Sequence, residues 1–324
     1  MTEPLLTVHF TEADASTALR SEARAGLTDH PKWLSPKWFY DARGSELFEQ
    51  ITTLPDYYPT RAERAALTAH AAEVAALTEA VELVELGSGS SAKTRLLLDA
   101  LTVGGRLRGF VPLDVSASAL RGAADAVATE YPGLAVHAVV ADFTEHLALP
   151  TADGRRLVAF LGSTIGNLLP EERAAFLKGL RDLLRSGEFL LLGTDLVKDS
   201  EVLLRAYDDP AGVTAEFNRN VLRVLNRELS ADFDVSSFDH LAVWDAKREW
   251  IEMRLRARRD MRVRLDVLAL DISFAAGEEM RTEVSAKFRP ERVREELAAA
   301  GFVVRRFWTD EKGLFGLSLA EAVG

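Results

Sequence analysis

Cysteine is absent from the 324-residue chain, and with it go disulfide cross-links, thiolate metal centres and a cysteine nucleophile. Positive charge is also scarce. The 39 Lys and Arg stand against 50 Asp and Glu, a formal net charge of -11 that suits neither a nucleic-acid backbone nor an anionic membrane as main partner. No run reaches the ~18 uninterrupted apolar residues of a membrane span. The opening "MTEPLLTVHFTEADASTALR" has no basic segment followed by an apolar core. The 6 histidines are scattered without paired metal-ligand spacing, so no metal site is expected. These absences leave small-molecule chemistry in a cytoplasmic protein as the expectation, and a monomer is expected although the sequence itself does not give the oligomeric state. A hydrophobic content of 48% is ample for a buried core.

From residue 81 to about 196, short β-type runs alternate with helix-patterned segments. "VELVEL", "RGFVPLDV", "LAVHAVVADF", "RRLVAFLGS" and "EFLLLGTDLV" are separated by "SAKTRLLLDALT", "SASALRGAADAVATEY" and a helix opened by Pro170 and Glu171. This rhythm implies a doubly wound α/β fold of the Rossmann type, with ligands at the carboxyl ends of parallel strands. The closing "RPERVREELAAAGFVVRRFWTDEKGLFGLSLAEA" reads as helix, strand, turn, strand, which adds an antiparallel member. Residues 61–196 and 286–324 are thus assigned to the sheet domain, and 1–60 with 197–285 to a second, smaller α+β lobe. Arg254, Arg256 and Arg258 share one strand face there, read as a solvated face.

The stretch "VELVELGSGSSAKTR" (81–95) admits three readings. As a phosphate-binding loop it fails, because Ala92 stands where glycine should precede the lysine and "FLGST" offers no acid for a metal. As a dinucleotide turn, Gly87-x-Gly89-x-x-Ala92 satisfies the pattern, with Asp114 at a suitable distance. As an S-adenosylmethionine site it gains more. Glu85 precedes Gly87, Asp114 ends the second strand, and Asp142-Phe143 follow the third, so three strand ends converge on one nucleoside. The antiparallel tail also belongs to that architecture, which favours methyl transfer over hydride transfer.

Several loops are rich in aromatics and carboxylates, as recognition of a small zwitterion requires. Together "PKWFYDARGSELFEQIT", "LPDYYPTR", "ELGSGSSAKTR", "FLGSTIGNL", "LLLGTDLVKD", "AYDDPAGVTAEFNRN", "AAGEEMRTEVSAKFRPE" and "FGLSLA" closely resemble the histidine Nα-methyltransferases of bacterial ergothioneine biosynthesis, from about residue 20 to the C-terminus. The resemblance implies S-adenosylmethionine as cofactor, S-adenosylhomocysteine as its product, and L-histidine with its mono- and dimethylated forms as small-molecule partners. It implies a cofactor site of Tyr40, Gly87, Lys93, Asp114, Asp142 and Phe143. It further implies that Tyr57, Asn167 and Tyr207 hold the substrate's amino and carboxylate ends. Glu283 and Ser285, near Met253 and Thr214, would read the imidazole. Tyr40 and Asn167 are the residues expected to orient the attacking nitrogen.

Overall fold

A computed structural model describes residues 4–89, 91–144, 149–150 and 152–324. Among these residues the chain runs through β1 (Leu5–Val8), α1 (Glu12–Thr28), α2 (Ala42–Thr53), α3 (Pro59–Thr78), β2 (Glu82–Leu86), α4 (Arg95–Val103), β3 (Gly109–Asp114), α5 (Ala117–Glu130) and β4 (Ala135–Val140). It continues through β5 (Arg156–Phe160), α6 (Pro170–Leu183), β6 (Phe189–Asp195), α7 (Ser200–Tyr207), α8 (Val213–Leu229), β7 (Phe238–Asp245), β8 (Trp250–Ala257) and β9 (Met261–Leu265). The last elements are β10 (Leu270–Phe274), β11 (Glu279–Ala286), α9 (Pro290–Ala299), β12 (Phe302–Thr309) and β13 (Phe315–Ala322).

Contacts divide the chain into two compact units, one of Met1–Thr11, Arg61–Leu196 and Phe288–Gly324, the other of Glu12–Thr60 and Val197–Lys287. The first is built on a sheet ordered β1-β4-β3-β2-β5-β6-β13-β12. The strands from β1 to β6 pair in parallel, whereas β13 runs antiparallel to both β6 and β12. Every residue of β5 and β6 is buried, so alternate side chains are covered on both faces and the polar alternation of a half-solvated strand disappears. Strands β2, β3 and β4 extend to one side and β5 and β6 to the other. The sheet's topological switch point therefore lies between β2 and β5, whose carboxyl ends are in register at Leu86 and Phe160. This is the doubly wound sheet with antiparallel closing strands of the sequence reading. Leu5–Val8, by contrast, were assigned to the smaller lobe but pair with His137–Val140 as an edge strand of the large sheet. A four-residue strand far from the alternating segment carries too little pattern to be read locally.

The second unit holds the sheet β11-β8-β7 and the hairpin β9-β10. Helix α8 supplies its spine. Thr214, Phe217, Asn218, Val221, Val224 and Leu225 recur at helical spacing and are buried. Asp41 caps α2 by accepting from the Gly44 amide at 2.8 Å, and Asn220 of α8 donates to the same carboxylate at 2.7 Å. The arginine face is not merely solvated. Arg254 is bound by Glu252 and Glu279, Arg256 by Glu279, and Arg258 by Asp239, so acids within and across the strands neutralise it.

At the end of the first unit's sheet remote from the ligand side, Glu188 holds the Arg156 guanidinium at 3.0 Å, with side chains 3% and 6% exposed. Removing one member of such a pair strands a buried charge. Glu188→Ala is expected to lower unfolding free energy by about 3–5 kcal/mol in urea titration. A loss below about 1 kcal/mol would place this pair with solvent-screened ones.

Candidate functional site

The first unit gathers its polar side chains where β2, β3, β4 and β5 end. After β2 the chain must reverse within a few residues, and Gly87 (φ 66) and Gly89 (φ 49) take left-handed conformations to do so. The Gly87 and Ser88 amides donate to the Leu113 carbonyl at 2.8 and 3.1 Å, and the Gly89 amide donates to Asp114 Oδ2 at 2.9 Å. Asp114 Oδ1 accepts from the Ser116 amide at 3.1 Å. The loop after β2 is thereby sewn onto the end of β3.

Glu85 lies beneath this loop, 4% exposed. It accepts from the Ser91 hydroxyl at 3.0 Å and from the Thr94 hydroxyl. Burial pushes its carboxyl up to about 7, against the opposing pull of the two hydroxyls and the Lys93 charge, while Glu63 adds repulsion. Helix α4 begins at Arg95, directly after the segment whose Ser91 and Thr94 hydroxyls turn back to Glu85. Lys93 turns to Glu63 in an ion pair. The lysine and threonine that a phosphate loop would aim at phosphate and metal are both held by carboxylates.

After β4, Asp142 Oδ1 accepts from the Thr144 amide at 2.9 Å and its hydroxyl at 2.5 Å. Phe143 packs edge-on to Phe160 and Phe176, ring centres 5.4 and 6.0 Å away, and its ring would lie 3.7 Å from a Cβ placed on Gly87. After β5, Gly162 (φ 73) and Ser163 (φ 57) turn the chain into a 3-10 helix, Thr164–Asn167. Ser163 Oγ accepts from the Asp195 amide at 2.9 Å and anchors that turn. Asn167 ends it, half-buried.

This set fits a nucleoside carrying an amino-acid tail and no phosphate. Two carboxylates at adjacent strand ends suit ribose and base donors, and Phe143 gives an apolar surface beside the glycine turn. Ser88 Oγ, inside the loop, is buried with no hydrogen-bond partner among the described residues. Gly87, Lys93, Asp114, Asp142, Phe143 and Asn167 all belong to this unit.

Tyr40, Tyr57, Tyr207, Thr214, Met253, Glu283 and Ser285 belong to the second unit. A relay of rings joins several of them. Tyr40 packs edge-on to Phe48 and Phe217 at 5.5 Å, Phe48 to Tyr57 at 6.3 Å, and Tyr57 to Tyr207 at 6.5 Å. Tyr207 and Ser285 share a hydrogen bond of 2.7 Å, and the fully buried Lys287 ammonium donates to both oxygens at 2.8 Å. Glu283 and Met253 face each other across β11 and β8, beside a register shift at Arg281/Glu283 that breaks strict alternation. Thr214 is buried in the first turn of α8, its amide bound by Asp209 at 2.7 Å.

Phe48, Phe217 and Lys287 were missed in the sequence, although each sits inside a quoted motif. So was a buried polar thread. Thr282 donates to Asn218 Oδ1 at 2.6 Å, Asn218 Nδ2 meets His240 Nδ1 at 2.8 Å, and His240 Nε2 donates to the Tyr207 carbonyl at 2.8 Å. A carbonyl can only accept, so His240 is the Nε2–H tautomer, and burial lowers its pKa to match. Among the described residues no group of acids and histidines could hold a metal, and no helix is long and apolar enough to cross a membrane.

The raised Glu85 pKa has a defined sign. The folded state keeps this proton more tightly than the unfolded chain, so Glu85's contribution is fully present below pH 4.5 and is lost as pH rises from there to about 7. Across that interval Glu85→Gln is expected to gain about 3 kcal/mol of stability relative to the parent, read from paired urea titrations of ligand-free protein. A stability difference that stays flat with pH would contradict the burial of a titrating Glu85.

Known proteins bear on this geometry. The family model described as "Histidine-specific methyltransferase, SAM-dependent" matches residues 19–322. The chain is 60% identical over 306 residues to the histidine N-alpha-methyltransferase of Mycolicibacterium smegmatis, covering 94% of this chain and 95% of the relative. It is also 60% identical over 312 residues to the Mycobacterium tuberculosis protein of the same name, covering 96% and 97%. Ergothioneine biosynthesis protein 1 of Neurospora crassa is 36% identical over 203 residues, 61% of this chain and 23% of that longer protein. Matched from residue 19 to 322, the chain belongs to the family of histidine-specific, S-adenosylmethionine-dependent methyltransferases.

Proposed function

We propose that this protein, a cytoplasmic monomer, methylates the α-nitrogen of L-histidine three times. The product is the betaine hercynine, with S-adenosylhomocysteine released at each turn, and the reaction opens ergothioneine biosynthesis. The observation that carries this reading is the 60% identity, over nearly the whole of both chains, to two proteins named histidine N-alpha-methyltransferase.

S-adenosylmethionine supplies an electrophilic methyl group on a sulfonium. The chain's task is then mainly alignment. In this reading Asp114 and Asp142 accept from the nucleoside, Phe143 covers the base, and the Gly87 turn allows close approach. Lys93 pairs with the cofactor's carboxylate, and Tyr40 contributes to the same site. Tyr57, Asn167 and Tyr207 hold the amino and carboxylate ends of histidine. Glu283 and Ser285 accept from and donate to the imidazole, with Met253 and Thr214 beside it.

Only a neutral amine attacks. The α-amino group of free histidine, next to its own carboxylate, is more basic than a peptide N-terminus of pKa roughly 7.7–8.0, so well under a tenth is neutral at pH 7 and its proton must pass to water before each attack. Asn167 and Tyr40 orient the nitrogen without locking a proton onto it. That leaves room for successive methyl groups and retains the mono- and dimethylated intermediates as substrates.

Mass spectrometry of the protein with S-adenosylmethionine and each of the twenty amino acids tests the reading directly. Trimethylation of histidine alone supports it, and turnover of tryptophan in preference to histidine would overturn it. Glu283→Ala is expected to lower kcat/KM for histidine by about 10²-fold or more, because the ring's N–H loses its acceptor. Undiminished selectivity in that variant would remove Glu283 from the site. Unchanged rates for all three transfers in both Tyr40→Phe and Asn167→Ala would remove the assigned nitrogen-orienting pair.

A further inference from the structure

Glu63 is not part of the nucleoside set, yet its carboxylate is wholly buried on α3, with a relative exposure of 0%. A buried carboxylate is costly unless both oxygens are engaged. Here one oxygen pairs with Lys93 Nζ and the other accepts from the Gly162 amide at 2.7 Å. The two donors come from different loops. Lys93 follows β2 and Gly162 follows β5, the adjacent strands that flank the switch point. Gly162 also opens the turn that ends in Asn167. On β6, Gly193 is required for close approach, because a Cβ there would run into Glu63 Oε1. The fold thus makes room for a carboxylate whose two contacts lead to the two loops of the proposed reaction.

The geometry points to Glu63 as a positioning residue that clips Lys93 to the Gly162–Asn167 turn and presents the lysine to the carboxylate of S-adenosylmethionine. This rests on the reading that Lys93 pairs with that carboxylate. Glutamine cannot do the same work. Its single oxygen can stand at only one of the two carboxylate positions, so its NH2 group would face either the Gly162 amide or the ammonium, both of them donors. The loss should therefore be confined to ligands that carry the amino-acid tail.

S-adenosylhomocysteine and 5′-deoxy-5′-methylthioadenosine separate that tail from the nucleoside, since the second keeps adenine, ribose and sulfur but has no carboxylate. Titration calorimetry of Glu63→Gln is expected to show S-adenosylhomocysteine about tenfold weaker, with methylthioadenosine within about twofold of the parent. In a Lys93→Met background the same Glu63→Gln change should add nothing, because Glu63 acts through the lysine. A general structural defect would weaken both ligands together and overturn the proposal. So would a parental ratio of the two affinities in Glu63→Gln when Lys93→Met has lowered it. If Lys93→Met itself keeps the parental ratio, the reading of Lys93 falls, and the proposal with it.

Should Glu63→Gln fail to fold, the side-chain ¹⁵N resonance of Lys93 in the unsubstituted protein, assigned through Lys93→Arg, carries the test. A hydrogen-bonded ammonium that responds to S-adenosylhomocysteine and not to methylthioadenosine supports the clip. A signal averaged like that of solvent lysines overturns it.

Discussion

The Glu85 carboxylate, buried at the end of β2 and bound by the hydroxyls of Ser91 and Thr94, is the constraint from which the ligand end of the large sheet follows. A buried acid must be surrounded by donors, and the nearest in sequence lie in its own loop. Between the acid and these donors the chain makes its left-handed turn at Gly87 and Gly89, where the Gly89 amide reaches Asp114, and α4 follows from Arg95. Lys93 faces Glu63, and Glu63 reaches on to Gly162. One strand end thus sets the geometry of the loops after β3 and β5 as well as its own.

The second unit solves a different problem, holding polar groups in an apolar wall. Rings from Tyr40 to Tyr207 form the wall, and inside it Lys287 donates to the oxygens of Tyr207 and Ser285, which also bond each other. The neutral His240 ties the carbonyl of Tyr207 to Asn218 and so to α8. Buried hydrogen-bond threads of this kind fix orientation as much as they add stability. Such fixed orientation is what selection of a small zwitterion by a few polar contacts demands.

Much of this was legible in the residues. The alternation from 81 to 196 gave the parallel sheet, because fully buried strands read as apolar runs and crossover helices read at a longer period. The acids at Asp114 and Asp142 were recognisable since each terminates such a run. Other features were not. Leu5–Val8 join the sheet edge by pairing with a partner more than a hundred residues away, a contact that no local pattern encodes. Glu63 lies in a helix whose surface pattern gives no hint that one carboxylate is swallowed. Lys287 looks like an ordinary strand-end cation until Tyr207 and Ser285 close on it. The arginine stripe was visible as a face, but the acids that neutralise it come partly from neighbouring strands.

In the proposed reaction methyl groups go to the α-nitrogen of histidine and to no other atom. This is tested most directly by NMR of ¹⁵N-labelled L-histidine after exhaustive reaction with S-adenosylmethionine carrying a ¹³C methyl group. One signal from three equivalent methyl groups coupled to the α-nitrogen is expected, with the imidazole nitrogens unsubstituted. Methyl carbon coupled to a ring nitrogen, or a product that stops at the monomethylated amine, would contradict it.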